Sequence, residues 1–148
     1  MIKLEEFLPY RLSVLANQVS RGIAGTYSER FGLSITEWRV IAILGRFDNI
    51  PASAVAARSA MDKVAISRAV RRLLDLGLVR RQEGRNDRRS KPLALTDAGH
   101  EVYLAIAPAA LAFEAKLLDA LSAEERKSLD LIIDKLMAAV DECDRAGG

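Results

Sequence analysis

The chain has 148 residues, half of them apolar and 28% charged, which describes one globular domain able to bury a core without disulfides or a structural metal. No apolar run nears the roughly 20 residues that span a bilayer, and the "KLEE" near the start is unlike the basic lead of a signal peptide, so no membrane partner and a cytoplasmic location are expected. The formal net charge of +2 is unevenly spread: eleven bases and only four acids lie between Arg58 and Lys91, a basic segment in an acidic frame, as in a nucleic-acid-binding element on a scaffold with another job.

In chain order, Leu8, Leu12, Leu15, Val19 and Ile23 recur at steps of three and four. This helical period predicts one long helix from Glu5 to about Phe31, broken or frayed near Gly22 to Gly25. "SITE" sets Ser34 three residues before Glu37, a capping box, so a second helix is predicted from Ser34 to about Phe47. Its expected buried face is Trp38, Ile41, Ala42 and Leu44. "PASAVAARSA" predicts a short third helix with Pro51 in its first turn and a small alanine face that lets another helix come close.

"MDKVAISRAVRRLLDLG" predicts a fourth helix, started by Asp62 and stopped by Gly77. Its apolar set is Ile66, Ala69, Val70, Leu73 and Leu74, and the opposite face carries Lys63, Ser67, Arg68, Arg71 and Arg72. "LVRRQ" and "KPLALT" read as the strands of a hairpin with a long basic connection from Gly84 to Ser90, Pro92 beginning its strand or lying on an edge. From Thr96, a natural N-cap, a helix runs towards Ala120, with Pro108 expected to kink it. "SAEE" at Ser122 to Glu125 is a second capping box and opens a last helix through Leu129, Ile132, Ile133, Leu136 and Val140. Three short helices followed by a two-stranded hairpin make a winged helix-turn-helix, so the expected class is mainly α with a small β-hairpin, flanked by helices at both ends.

The fourth helix has what a major groove requires. Ser67 can bond a base edge or a phosphate, Arg68, in one row with Arg72, can pair bidentately with guanine, and Lys63 or Arg71 can neutralise phosphates. A solvated basic face is the plainer alternative. The hairpin adds Arg85, Arg88 and Arg89, suited to the electronegative floor of a minor groove. Asp87, two residues before Arg89, can hold that side chain extended by a charge-assisted hydrogen bond, or can simply be a turn residue after Asn86.

The stretch from Met61 to Gly99 resembles the recognition helix and wing of the MarR family of transcription regulators. The family's Asp-x-Arg signature and following Leu-x-Leu-Thr strand fall here on Asp87, Arg89, Leu93, Leu95 and Thr96. The resemblance covers the helix order and nearly the whole length. It implies a homodimer on a pseudo-palindrome of double-stranded DNA, with Ser67 and Arg68 at base edges and Arg89 in the minor groove. Residues 1–148 then form one domain: dimerisation helices at 1–32 and 108–148, a winged-helix lobe at 33–96 and a connecting helix at 97–107. "PASAVAA" departs from the family by lacking a polar N-cap and a glutamate in the third helix. Apart from the resemblance, Met1 to Leu15 and Pro108 to Val140 hold more apolar positions than one small winged helix can cover, and a two-fold interface is the commonest way to bury them.

The resemblance also implies release of DNA by a small, often aromatic, anionic effector, for which Tyr10, Arg11, Trp38 and Arg39 are the candidate lining, with Trp38 more readily read as plain core and Arg11 and Arg39 equally readable as surface or interface ion pairs. Cysteine-based sensing is not expected of Cys143, which lies among Asp141, Glu142 and Asp144. Neither a cofactor nor a metal is expected, since one cysteine and the lone His100 supply no ligand set. A ligand-responsive DNA-binding repressor is thus the leading expectation; a winged helix binding an acidic protein partner is the alternative. No Ser/His/Asp set or phosphate loop suggests an enzyme.

Overall fold

A computed structural model describes residues 1–82 and 91–147, and divides the chain into two compact units, Met1–Leu111 and Ala112–Gly148. The first begins with a 3-10 turn, Leu4–Glu6, followed by α1 (Leu8–Ala24) and the single turn α2 (Ser28–Phe31). The helical stretch expected from Glu5 to about Phe31 is therefore two helices, parted at the expected break near Gly25. Pro9, near the helix start, is compatible only with the first turn of α1, and the chain leaves the helix at Gly25. Gly32 then takes a left-handed φ of 64° to turn into α3 (Ile35–Arg46).

The Ser34 capping box forms as expected: Glu37 N–H donates to Ser34 Oγ at 3.1 Å, and Ser34 N–H donates back to Glu37 Oε1 at 2.9 Å. α3 is the central helix, touching α1, α4 (Ala52–Ser59), α5 (Lys63–Asp75) and the second strand. Its buried side is consequently broader than a single stripe. Val40, Ile41, Ile43 and Leu44 are buried, whereas Trp38 and Ala42, expected there, are half-buried.

β1 (Val79–Arg81) pairs antiparallel with β2 (Leu93–Leu95), Val79 opposite Leu95 and Arg81 opposite Leu93. On its other side Leu93 donates its N–H to the Ile50 carbonyl at 2.8 Å, so β2 lies between two backbones. Pro92, lacking an N–H, immediately precedes the strand and supplies only its carbonyl, to Gln82 N–H. Ile66, Val70 and Leu73 of α5 join Val40, Ile41, Leu44, Val55, Val79, Leu93 and Ile106 in one core, to which Tyr27 also belongs.

α6 (Asp97–Leu118) starts where predicted. Thr96 Oγ1 accepts from Gly99 N–H at 3.1 Å and donates to the Gly77 carbonyl at 2.6 Å, tying the start of α6 to the end of α5. Pro108 lies inside this helix. Close approaches require glycine twice: a Cβ at Gly45 would stand 2.6 Å from the Tyr103 ring, and one at Gly99 would stand 2.0 Å from the Leu78 carbonyl oxygen.

The second unit holds the end of α6 and α7 (Ala123–Ala146), whose Ser122 and Glu125 form the predicted capping box. The Ser122 N–H holds the Glu125 carboxyl below its usual range. Arg126 secures the turn by donating to the Leu118 carbonyl at 3.0 Å and to Asp119 at 3.3 Å. Nothing on α7 is buried; Leu129, Ile132, Ile133, Leu136 and Val140 lie bare along one stripe. No described helix is long and apolar enough to cross a membrane.

Candidate nucleic-acid interface

α4, the turn Ala60–Asp62 and α5 form a helix-turn-helix. The turn is held from three sides. Ser59, fully buried, donates its hydroxyl to the Ala56 carbonyl at 2.7 Å and accepts from Met61 N–H at 3.1 Å. Arg39 of α3 donates to the Ser59 carbonyl at 2.9 Å, setting a cation on the C-terminal end of α4 where the helix dipole favours it. Asp62 caps α5 by accepting from Ala65 N–H at 3.1 Å. These contacts offset the left-handed φ of 55° at Ala60, a conformation that costs a non-glycine residue about 1 kcal/mol.

With Ile66, Ala69, Val70 and Leu73 turned inward, α5 presents Lys63, Ser67, Arg68, Arg71 and Arg72 outward, all exposed. The sequence-predicted residues of this helix therefore share one face. Beside them lies an apolar groove of about 790 Å³, left open by Ala52, Ala56 and Ala57 of α4 and rimmed by Lys63, Ser67, Arg71 and Arg81. Arg80 and Arg81, both exposed on β1, add cations that the sequence reading counted as charge but did not place at the site. Their signal was present, since the alternation of a short strand sends at least one of two adjacent arginines outward.

Arg72 differs from its neighbours. Its guanidinium bonds the Glu37 carboxylate and the Gly32 carbonyl, the latter at 3.3 Å. α4 lacks a side-chain cap at Pro51, in keeping with the departure noted in "PASAVAA". Arg85, Asp87, Arg88 and Arg89 lie outside the described residues.

The proposed effector residues are split by the structure. Trp38 and Arg39 line a small cleft of about 160 Å³ together with Ser20, Ile23, Tyr27 and Ile35. Arg39 also lines an adjoining cleft of about 470 Å³ with Asn17, Ser20, Arg21 and Met61. Tyr10 and Arg11 are exposed on α1 and line neither. The Trp38 ring stacks on Tyr103 and tilts against Tyr27, with centroids 6.1 and 5.7 Å away. It thus serves the core and the cleft wall together. Ser20, Arg21 and Tyr27 had no motif to reveal them, because about three turns of helix separate Tyr10 and Arg11 from the part of α1 that reaches α3.

Comparison with known proteins agrees with this geometry. The model of the MarR family matches residues 31–90. Among solved structures, a MarR family transcriptional regulator from Silicibacter pomeroyi is 27% identical, with a TM-score of 0.77 over 94% of this chain and 93% of that one. A MarR/EmrR family regulator from Acinetobacter sp. ADP1 is 26% identical, with a TM-score of 0.85 over 95% and 99%. The PcaV transcriptional regulator from Streptomyces coelicolor, solved with its natural ligand, shares the fold at 21% identity and a TM-score of 0.77 over 95% and 98%. No curated protein sequence gives a significant match. Residues 31–90 thus match the model of the MarR family of transcription regulators, and the chain is similar in fold to solved regulators of that family.

Proposed function

We propose that the protein is a sequence-specific repressor that binds a pseudo-palindromic operator as a homodimer and releases it when a small aromatic or anionic effector binds. The observation that carries the DNA-binding part is the exposed row of Lys63, Ser67, Arg68 and Arg71 on a helix whose opposite face is locked into the core. Ser67 and Arg68 are assigned to base edges, Lys63 and Arg71 to phosphates. The paired strands on either side of residues 83–90 support a wing, to which Arg85, Arg88 and Arg89 are assigned, with Asp87 aiming Arg89.

The effector part is supported by a cation, Arg39, facing a cleft walled by Trp38 and Tyr27, a pairing suited to a ring bearing a carboxylate. A regulator of the same fold has been solved with its natural ligand. Bound there, an anion competes with the Ser59 carbonyl for Arg39 and so loosens the turn before α5.

Titration with duplex DNA at several salt concentrations tests the reading. Affinity should fall steeply with salt and favour a palindromic site selected from random sequence. Arg68→Ala should cost about 1–3 kcal/mol at that site and relax base preference at one position. An affinity indifferent to salt and sequence, with tight binding to an acidic protein instead, would reject DNA binding in favour of a protein-interaction module.

A further inference from the structure

We infer that Glu37 and Arg72 are a positioning pair that fixes the rotation of α5 about its own axis, Arg72 acting through the helix rather than on DNA. The assignment rests on the DNA-binding reading above.

Three observations carry it. Glu37 is one of very few charged groups the core accepts, its side chain only 8% exposed, while Arg72 is 49% exposed on the face that carries Arg68 one turn earlier. A buried carboxylate is tolerated only when its charge is answered, and here Glu37 Oε1 receives both the Ser34 N–H and the Arg72 guanidinium. Arg72 in turn spans two acceptors, Glu37 and the Gly32 carbonyl, at the corner between α2 and α3.

The remaining contacts of α5 with the core are apolar, through Ile66, Ala69, Val70 and Leu73. Such burial is non-directional, and it resists translation of the helix better than a small roll. A roll of about 20° carries side-chain tips some 5–6 Å from the axis through about 2 Å, whereas a recognising group must be held to within about 0.5 Å. A directional bond at one end of the helix is what removes that freedom. Glu37 is also the residue before Trp38 and Arg39, so the first turns of α3 carry the cleft wall, the tether to α5 and the bond to the Ser59 carbonyl together.

The test separates the tether from the helix cap and from a phosphate contact. Glu37→Gln keeps an acceptor for the Ser34 N–H and removes the charge; Arg72→Gln removes the other partner, and Arg72→Lys returns a cation. Operator affinity, affinity for random duplex, salt dependence and melting temperature are measured for each, with the double variant. Both glutamine variants should lose about tenfold in operator affinity, the scale of one charge-assisted bond, with random-duplex affinity and salt slope held, partial recovery in Arg72→Lys, and no further loss in the double variant; melting temperature should fall in Arg72→Gln, which leaves the Glu37 charge unanswered, and change little in Glu37→Gln and in the double variant.

A drop of about one in the salt slope for Arg72→Gln, with equal loss on random duplex and none for Glu37→Gln, would make Arg72 a phosphate contact and overturn the assignment. Operator losses that simply track melting temperature would overturn it as well. A wild-type chain that selects no duplex at all would remove the DNA-binding reading and this assignment together; a wild type that does, with variants unaffected, would remove only the assignment.

Discussion

Tyr27 is almost fully buried against Trp38, and burial pushes its hydroxyl above the ordinary value of 10.0, partly offset by the Arg39 guanidinium. The folded chain therefore keeps this proton at a pH where the unfolded chain has begun to lose it. Stability from Tyr27 is fully present below pH of about 10 and declines as pH rises through the folded value. Urea midpoints taken across that range should fall in the wild type and less in Tyr27→Phe; parallel profiles would show that Tyr27 does not set the slope. Gly99 makes a different demand. Because a carbonyl oxygen and not a flexible side chain occupies the space of its Cβ, Gly99→Ala should destabilise by about 3 kcal/mol, the upper end of overpacking costs. Gly25→Ala, whose Cβ would meet only ordinary contacts at 3.4 Å and beyond, serves as the control. A Gly99→Ala chain as stable as that control would mean that α6 shifts freely.

At the scale of elements, what could be read from the sequence was local. Capping boxes span four residues, so Ser34 and Ser122 announced their helices correctly, and Asp62, Gly77 and Thr96 marked ends or starts for the same reason. Contacts between residues distant in sequence were not legible. Nothing near Arg72 names Glu37 as its partner, nothing near Arg39 names the Ser59 carbonyl, and Ile50 gave no sign of lying beside Leu93. The clefts show the same limit: chemistry alone offered Tyr10 and Arg11 as candidates, while the path of α1 decides that Ser20 and Arg21 line the clefts. The wing keeps one prediction of its own. Under the proposed aiming role, Asp87→Ala removes a negative charge from a basic stretch and yet should weaken operator binding, since ordering an arginine without a partner costs about 2 kcal/mol; tighter binding by this variant in the same titration would defeat that role.

For the molecule as a whole, the exposed apolar residues matter most. Met1, Ile2, Leu4, Leu8, Leu12 and Leu15 are bare in one unit, and Leu129, Ile132, Ile133, Leu136 and Val140 in the other. Soluble proteins seldom leave so many large apolar groups in water, and a second copy of the chain is the proposed cover. Dilution should then lower the melting temperature, and sedimentation should show a dimer that a charge placed in the apolar stripe of α7, as in Ile132→Asp, dissociates; a concentration-independent melting temperature and a monomer at high concentration would refute this.

Leu93 also bears on how the lobe moves. Its N–H is tied to the Ile50 carbonyl, and the entire helix-turn-helix lies between those two residues in the chain. The reading head is thus a closed ring, fastened where it begins and where it ends. A signal that carries the whole lobe must turn the ring as a body or first undo that clasp, and protection of the Leu93 amide against exchange distinguishes a rigid turn from an opening.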